Sequence, residues 1–147
     1  MREAGIENCG FILSIAAIFE APISMARILI ADDYDAARRA IRRLLEGRPG
    51  WEVCGEAADG LGGMLKTAEL KPDLVILDLA LGMIDGLTAA REISAAMPSL
   101  PIVLCTVFAT DVLERQSHEF GIRAVVDKSD AGTQLVSVVE GLLNSKV

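Results

Sequence analysis

The fold is decided by residues 72–86, which read PDLVILDLALGMIDG. Residues 74–77 form an unbroken aliphatic run, with Pro72 before it and Gly82 after it, and this pattern predicts a central parallel strand buried on both faces. Asp78 follows the run directly, at the end of the strand where open α/β sheets hold their ligands. Because a lone buried carboxylate is costly, Asp78 needs a metal ion or a partner charge beside it.

The size and composition of the chain limit what it can do. Its 147 residues are enough for one domain with a substantial core. Hydrophobic residues make up 52% of the chain and aromatic residues 4%, so the core is aliphatic, as in many layered α/β proteins. The formal net charge of -7 opposes contact with polyanions, so we expect no direct nucleic-acid binding and no attachment to anionic membranes.

The cysteine and histidine content argues against a thiol or imidazole metal site. Cys9, Cys54 and Cys105 are far apart and form no CxxC pair. Cys54 and Cys105 fall in predicted strands, which indicates buried, reduced thiols. His118 is the single histidine of the sequence, and we interpret it as a surface residue.

Residues 1–24 differ from the rest of the chain and form an N-terminal extension. Their apolar run, residues 11–19 (FILSIAAIF), is too short for a membrane span, which needs about 20 residues. A signal peptide is disfavoured because acidic residues outnumber the one arginine before the run and no clear cleavage site follows. Two alternatives stay open: Met25 is the natural start and the extension is not native, or the extension is a short docking helix.

The remaining residues, 25–147, alternate between strand and helix patterns and form one predicted domain. Apolar runs mark the strands, and apolar residues three or four positions apart mark the helices. This alternation predicts a doubly wound α/β fold, in which a five-stranded parallel sheet has helices on both faces. The predicted strands are 27–31, 51–55, 74–77, 101–105 and 122–126, and the predicted helices are 37–46, 60–70, 87–96, 110–120 and 130–143.

Polar side chains follow four of these strands at the point where each strand ends. Asp32 and Asp33 follow the first strand, Asp78 the third, Thr106 the fourth and Lys128 the fifth. Because parallel strands end at the same edge of a sheet, we expect these groups to converge. Clustered carboxylates repel one another, and Mg²⁺ removes this penalty while keeping water ligands for an anion. A carboxylate nucleophile, a metal ion, a lysine and a hydroxyl group together favour phosphoryl transfer.

These five residues, in this order, carry a resemblance to a known family. Together with the IlDl..G..DG pattern of residues 76–86, they resemble the receiver domain of two-component response regulators. The similarity covers about residues 26–143. The phrases WEVCGEAADG (51–60) and DGLTA (85–89) are most similar to the branch whose members usually carry a helix-turn-helix output domain. The resemblance implies the flavodoxin-like strand order 2-1-3-4-5.

The resemblance also implies a phosphoacceptor and its metal ligands. Asp78 would accept a phosphoryl group from a histidine kinase or a phosphotransfer protein. Mg²⁺ would be bound directly by Asp33, by Asp78 and by the backbone carbonyl of Ala80. Asp32 would act mainly through a metal-bound water.

The remaining implied roles concern the response to phosphorylation. Thr106 would move toward the phosphoryl group, and Lys128 would pair with it. Members of the family read this rearrangement on the face formed by the fourth helix, the fifth strand and the fifth helix. The resemblance further implies a cytoplasmic protein that promotes its own phosphorylation and dephosphorylation and is otherwise not an enzyme.

Four positions depart from the pattern of the family. Gly82 replaces the usual proline four residues after the phosphoacceptor, which predicts a looser loop. Val107 stands where a small residue is usual and is expected to narrow access to the site. Val125 replaces the switch aromatic three residues before the lysine, and Ser129 replaces the common proline after it. The sequence therefore contains every residue of the phosphorylation site, whereas it lacks the aromatic residue that usually reports phosphorylation to the output face.

These observations leave several functions open. The first is a stand-alone receiver that is phosphorylated on Asp78 and signals by protein–protein contact, since the chain ends soon after its last predicted helix. The second is a degenerate receiver that binds its partner without phosphorylation. A phosphatase with an aspartyl-phosphate intermediate is disfavoured, because its commonest family places a second acid where this chain has Ala80. The chain as a fragment of a longer DNA-binding regulator is a further alternative.

Two helices carry surface features with competing interpretations. The arginines of the first predicted helix are interpreted as a solvated face, with kinase docking as the alternative. The last predicted helix has an apolar stripe that core packing explains in large part, while its excess width predicts a homodimer or partner surface. The arginines are Arg38, Arg39, Arg42 and Arg43, and the apolar residues are Leu135, Val136, Val138, Val139, Leu142 and Leu143.

Overall fold

Five parallel strands form the central sheet of the protein. The computed structural model describes residues 25–145, so the predicted extension and its boundary lie outside the described residues. The strands are β1 (Ala26–Ala31), β2 (Trp51–Ala57), β3 (Leu74–Leu77), β4 (Ile102–Thr106) and β5 (Ala124–Asp127). They are arranged in the order β2-β1-β3-β4-β5, and every neighbouring pair is parallel. The predicted doubly wound fold and its strand order are therefore confirmed.

Five α-helices connect and follow the strands. They are α1 (Asp35–Glu46), α2 (Gly60–Leu70), α3 (Gly86–Ala96), α4 (Asp111–Ser117) and α5 (Ala131–Asn144). A 3₁₀ turn, His118–Phe120, continues α4 and ends at Gly121, whose φ of 83° lies in the left-handed region. The predicted helix 110–120 is thus an α-helix followed by a 3₁₀ turn. Within residues 25–145, none of the helices has the length and apolar character that crossing a bilayer requires.

Alternate residues of the strands supply the two layers of the core. Leu29 and Ala31 of β1 belong to a cluster that includes residues of α3 and α4, with Met64 of α2 packed against it. Ile28 and Ile30 belong to a second cluster on the other face, which includes residues of α1 and α5. All four residues of β3 are buried, as expected for a central strand covered on both faces.

Helix α5 uses much of its apolar stripe for the core. Leu135 and Val139 are fully buried in the second cluster. Val138, Leu142 and Leu143 are half-buried and pack against that cluster. Core packing therefore accounts for these residues, and the predicted homodimer through the last helices stays a prediction.

Candidate functional site

Three carboxylates meet at the carboxyl edge of the sheet, as the sequence predicts. In the pairing of β1 with β3, Ala31 lies beside Leu77, so the next residues, Asp32 and Asp78, leave the sheet side by side. One carboxylate oxygen from each of Asp32, Asp33 and Asp78 lies within 4.8 Å of the other two. Asp32 and Asp78 are buried, whereas Asp33 is exposed. Because such closely spaced negative charges repel one another, this cluster favours a bound cation.

Lys128 brings a positive charge to the two buried carboxylates. Its Nζ lies 2.7 Å from Oδ2 of Asp32 and 3.1 Å from Oδ2 of Asp78. Burial alone lowers the pKa of the Lys128 ammonium, but its hydrogen bonds to the two carboxylates outweigh burial, so this pKa is raised. Lys128 therefore stays protonated, and its single charge offsets only part of the negative charge of the cluster.

The two oxygens of the Asp78 carboxylate differ in their hydrogen bonding to the described part of the chain. Oδ2 accepts a hydrogen bond from Lys128, whereas Oδ1 is buried and has no hydrogen-bond partner among residues 25–145. A buried carboxylate oxygen in this condition loses the solvation it would have in water, and native proteins rarely leave such a group unsatisfied. Together with the carboxylates of Asp32 and Asp33, it forms the set of hard oxygen donors that Mg²⁺ prefers.

Thr106 and Ala80 occupy the same edge of the sheet. Thr106 is the last residue of β4 and is fully buried, and it pairs with Asp127, the neighbour of Lys128. Its Oγ1 accepts a hydrogen bond from the backbone N–H of Phe108 at 3.2 Å. Ala80 lies in the loop between β3 and α3, two residues after the phosphoacceptor of the predicted site. The roles assigned to the Thr106 hydroxyl and the Ala80 carbonyl stay predictions.

The turn that carries Lys128 depends on the serine at position 129. The Ser129 backbone N–H and hydroxyl both donate to Oδ1 of Asp127, at 2.9 and 2.7 Å. These hydrogen bonds, the one from the hydroxyl first, lower the pKa of the Asp127 carboxyl. A proline at position 129 would lack the backbone N–H donor. In this protein the turn is stabilised by the two hydrogen bonds from Ser129, in place of the proline that is usual in the family.

The structure shows the backbone conformation or the burial of the other three residues that depart from the family pattern. Gly82 adopts a φ of 83°, which a proline ring cannot adopt, so the loop after β3 follows a path that a proline at this position excludes. Val125 is half-buried and packs against the first core cluster. Val107 is 60% exposed. The predicted effects on loop mobility, site access and readout stay predictions.

One interpretation from the sequence is wrong in part. Arg39 and Arg43 are exposed, as a solvated face requires. Arg38, however, has a side chain only 17% exposed, and its Nη1 donates to the backbone carbonyl of Asp32 at 2.6 Å. The reason is that the first turn of α1 lies over the loop after β1 and next to β2, where Glu56 accepts from Arg38. The sequence held one sign of this contact: Arg38 lies in the first turn of the helix that follows the acidic pair at the end of β1.

Gly86 ends the motif of residues 76–86, but its contact with the backbone of Asp78 is visible only in the structure. Asp85 caps α3 by accepting a hydrogen bond from the backbone N–H of Thr88 at 2.7 Å. Gly86, the first residue of α3, lies so close to the chain after β3 that a Cβ there would stand 2.1 Å from the carbonyl oxygen of Asp78. The glycine thus allows α3 to begin directly against the backbone of Asp78.

The two cysteines within residues 25–145 are free thiols. Cys105 is buried in β4 directly before Thr106, and burial raises its pKa to about 12. Cys54 is half-buried in β2, and burial raises its pKa as well. Both thiols are therefore protonated at neutral pH and are poor nucleophiles.

Comparison with known proteins places this site in a family. Residues 28–140 match the model of the response regulator receiver domain. Transcriptional regulatory protein LiaR of Bacillus subtilis is 30% identical over 129 residues, which are 84% of this chain and 61% of LiaR. The crystal structure of a two-component response regulator of the LuxR family from Aurantimonas sp. SI85-9A1 has a TM-score of 0.79 and 34% identity, covering 83% of this chain and 87% of that one.

Similarity to an enzyme is also found, but over a smaller part of its length. A protein-glutamate methylesterase/protein-glutamine glutaminase of Geobacter sulfurreducens is 32% identical over 111 residues, which are 71% of this chain and 31% of that protein. This chain thus spans less than two thirds of the length of the curated relatives it matches. The matching family model, the strand order and the acidic site with its lysine lead to one conclusion: this chain belongs to the response regulator receiver domain family of two-component signal transduction.

Proposed function

We propose that this receiver accepts a phosphoryl group on Asp78 in a Mg²⁺-dependent reaction and signals by contact with a protein partner. The observation that supports this most directly is the buried Oδ1 of Asp78, which has no hydrogen-bond partner among the described residues. It belongs to a carboxylate that lies beside two others and is paired with Lys128. A carboxylate placed in this way is available both as a nucleophile and as a metal ligand.

The residues at the edge of the sheet fit a magnesium ion. Asp33, Asp78 and the backbone carbonyl of Ala80 would bind the ion directly, and Asp32 would act through a metal-bound water. When bound, Mg²⁺ would neutralise negative charge on the carboxylates and on the equatorial oxygens of the phosphoryl group. The support for this assignment is the close approach of three carboxylate oxygens at the edge of the sheet.

The proposed chemical step is an in-line transfer from a phosphohistidine. A carboxylate oxygen of Asp78 forms a bond to phosphorus while the bond between phosphorus and the histidine nitrogen breaks. The electron pair of the broken bond stays on that nitrogen, and a neutral imidazole leaves with its proton on the other ring nitrogen. Lys128, paired with Asp78 before the step, would then pair with a phosphoryl oxygen, and the Thr106 hydroxyl would donate to another.

The partners in this proposal are proteins. The donor would be a histidine kinase or a phosphotransfer protein, and the output would be contact with a further protein rather than with nucleic acid, in keeping with the net charge of -7. We further propose that the chain works in the cytoplasm, as a stand-alone receiver, and that it is not an enzyme toward other substrates. A longer regulator is the alternative, because LiaR is named a transcriptional regulatory protein and is covered over 61% of its length.

Intact-mass spectrometry with acetyl phosphate as the phosphodonor tests the proposal. Wild-type protein is expected to gain one phosphoryl group in the presence of Mg²⁺ and none when the metal is chelated. Asp78→Ala should gain none, while Asp111→Asn, which changes an exposed carboxylate in α4, should behave like wild type. An adduct on Asp78→Ala would contradict the assignment of the phosphoacceptor.

A second function is favoured by Val125, which stands where an aromatic residue usually reports phosphorylation in this family. A receiver with this residue would bind its partner without phosphorylation. A folded wild-type protein that gains no phosphoryl group, together with unchanged partner binding by Asp78→Ala, would support this function instead.

A further inference from the structure

We propose that Arg38 is a positioning residue for the metal site: through the backbone carbonyl of Asp32 it holds the loop between β1 and α1 in the conformation that binds Mg²⁺. This inference rests on the proposed function, because it assigns to Arg38 the geometry of the same site. It concerns a residue that does not touch the phosphoryl group or the metal ion.

The guanidinium of Arg38 joins three parts of the fold. Its Nη1 donates to the backbone carbonyl of Asp32 at 2.6 Å, in the loop that follows β1. Its Nε donates to Oε1 of Glu56 in β2 at 3.1 Å, and its Nη2 pairs with Oδ1 of Asp35 in the first turn of α1. Because the guanidinium is planar and rigid, these contacts set the position of the loop relative to both β2 and α1.

The contact of Arg38 with the acidic site is geometric more than electrostatic. Arg38 meets the carbonyl of Asp32, whereas Lys128 meets its carboxylate. The charge of the guanidinium is paired with two other carboxylates, those of Asp35 and Glu56. Loss of Arg38 would therefore free the carbonyl of Asp32, while the Asp32 N–H stays bonded to the carbonyl of Ala57 at 3.0 Å and Lys128 still supplies the countercharge of the buried carboxylates.

The held carbonyl belongs to the peptide group that leads into Asp33. The orientation of this peptide plane sets the direction in which the Asp33 side chain leaves the loop. Within residues 25–145, no hydrogen bond or ion pair holds the exposed Asp33 carboxylate itself, so its position depends on its backbone. The other carboxylate proposed as a direct ligand, Asp78, is by contrast buried and directly follows a fully buried strand.

Arg42 offers a matched control on the same helix. It lies one turn after Arg38, and it pairs with Glu46 and with the same Glu56. Its contacts reach α1 and β2, and among the described residues none of them reaches the loop after β1. Replacing Arg42 thus removes two ion pairs, as replacing Arg38 does, but keeps the hydrogen bond from Arg38 to the carbonyl of Asp32.

The test measures Mg²⁺ binding by isothermal titration calorimetry without a phosphodonor. Arg38→Gln is expected to raise the dissociation constant of Mg²⁺ about 10-fold, the range seen when residues that orient metal ligands are removed. Arg42→Gln should stay close to wild type, and Arg38→Lys, which keeps the charge and one donor direction, should fall between them. Should Arg38→Gln fail to fold, Arg38→Lys against Arg42→Lys gives the same comparison.

A kinetic measurement separates positioning from general damage. With acetyl phosphate, Arg38→Gln should need more Mg²⁺ for half-maximal phosphorylation but reach the wild-type rate when Mg²⁺ saturates. Equal Mg²⁺ dissociation constants for folded Arg38→Gln and Arg42→Gln would overturn the inference, as would a rate that saturating Mg²⁺ does not restore. Neither of these two outcomes would contradict the proposed phosphorylation of the wild-type protein on Asp78. A wild-type protein that binds no Mg²⁺ would refute the proposed function along with this inference.

Discussion

Gly86 decides how closely a helix approaches the phosphoacceptor. A Cβ at this position would lie 2.1 Å from the carbonyl oxygen of Asp78 and 3.0 Å from Cα of Leu79, and both neighbours are backbone atoms that cannot rotate away. Gly86→Ala is therefore expected to destabilise the protein by about 1–3 kcal/mol, the usual cost of overpacking. Because the shift falls on the backbone of Asp78, phosphorylation by acetyl phosphate should also slow.

Gly141 provides the control for this prediction. It lies on the exposed side of α5, where a Cβ would meet nothing within 4 Å. Gly141→Ala should stabilise the protein by about 0.5–1 kcal/mol through its higher helix propensity and leave phosphorylation unchanged. Urea unfolding of both variants measures the difference, and a Gly86→Ala protein as stable as Gly141→Ala would show that the helix can move aside at no cost.

Helix α5 contributes to stability through the inner half of its apolar stripe. Leu135 is fully buried in the cluster shared by α1, α5 and the sheet. Leu135→Ala is expected to reduce the free energy of unfolding by about 3 kcal/mol, since it removes buried surface and leaves a cavity. Val136 is only half-buried, so Val136→Ala should cost about 1 kcal/mol or less in a monomer.

The Val136→Ala variant also tests the predicted homodimer. If a second copy covers the outer part of the stripe, the stability of the wild type should rise with protein concentration, and Val136→Ala should weaken that dependence. Unfolding midpoints measured across a wide range of concentrations give the answer. Midpoints that do not vary, for wild type and variant alike, would show that α5 serves the core alone.

At the level of the whole chain, the described core is contained in a continuous segment. The buried residues of both clusters lie between Ile28 and Val139, and the sheet begins at Ala26. A protein that begins at Met25 is therefore expected to fold and to unfold at the same urea midpoint as the complete 147-residue chain. A lower midpoint for the shorter protein would contradict this prediction and show that residues 1–24 stabilise the domain.

Much of the molecule could be predicted from local sequence patterns. The buried run of β3 and the alternation of strands and helices predicted the sheet and its two helical layers. The polar residues at the strand ends predicted the site candidates, which are Asp32, Asp33, Asp78, Thr106 and Lys128. These features follow from side-chain periodicity and from the rule that parallel strands end at one edge, which depend little on the details of packing.

Sequence patterns alone already determined which residues stand at the edge of the sheet, because periodicity and strand direction are local properties of the chain. Only the tertiary structure decided how those residues are held there. The close approach of Gly86 to Asp78 and the contact of Arg38 with the carbonyl of Asp32 each set a helix against the loop at the end of a strand, and within residues 25–145 Oδ1 of Asp78 is left buried without a hydrogen-bond partner. Spacing in the sequence does not encode such contacts, since they depend on how helices are set against the sheet by the packing of both core layers.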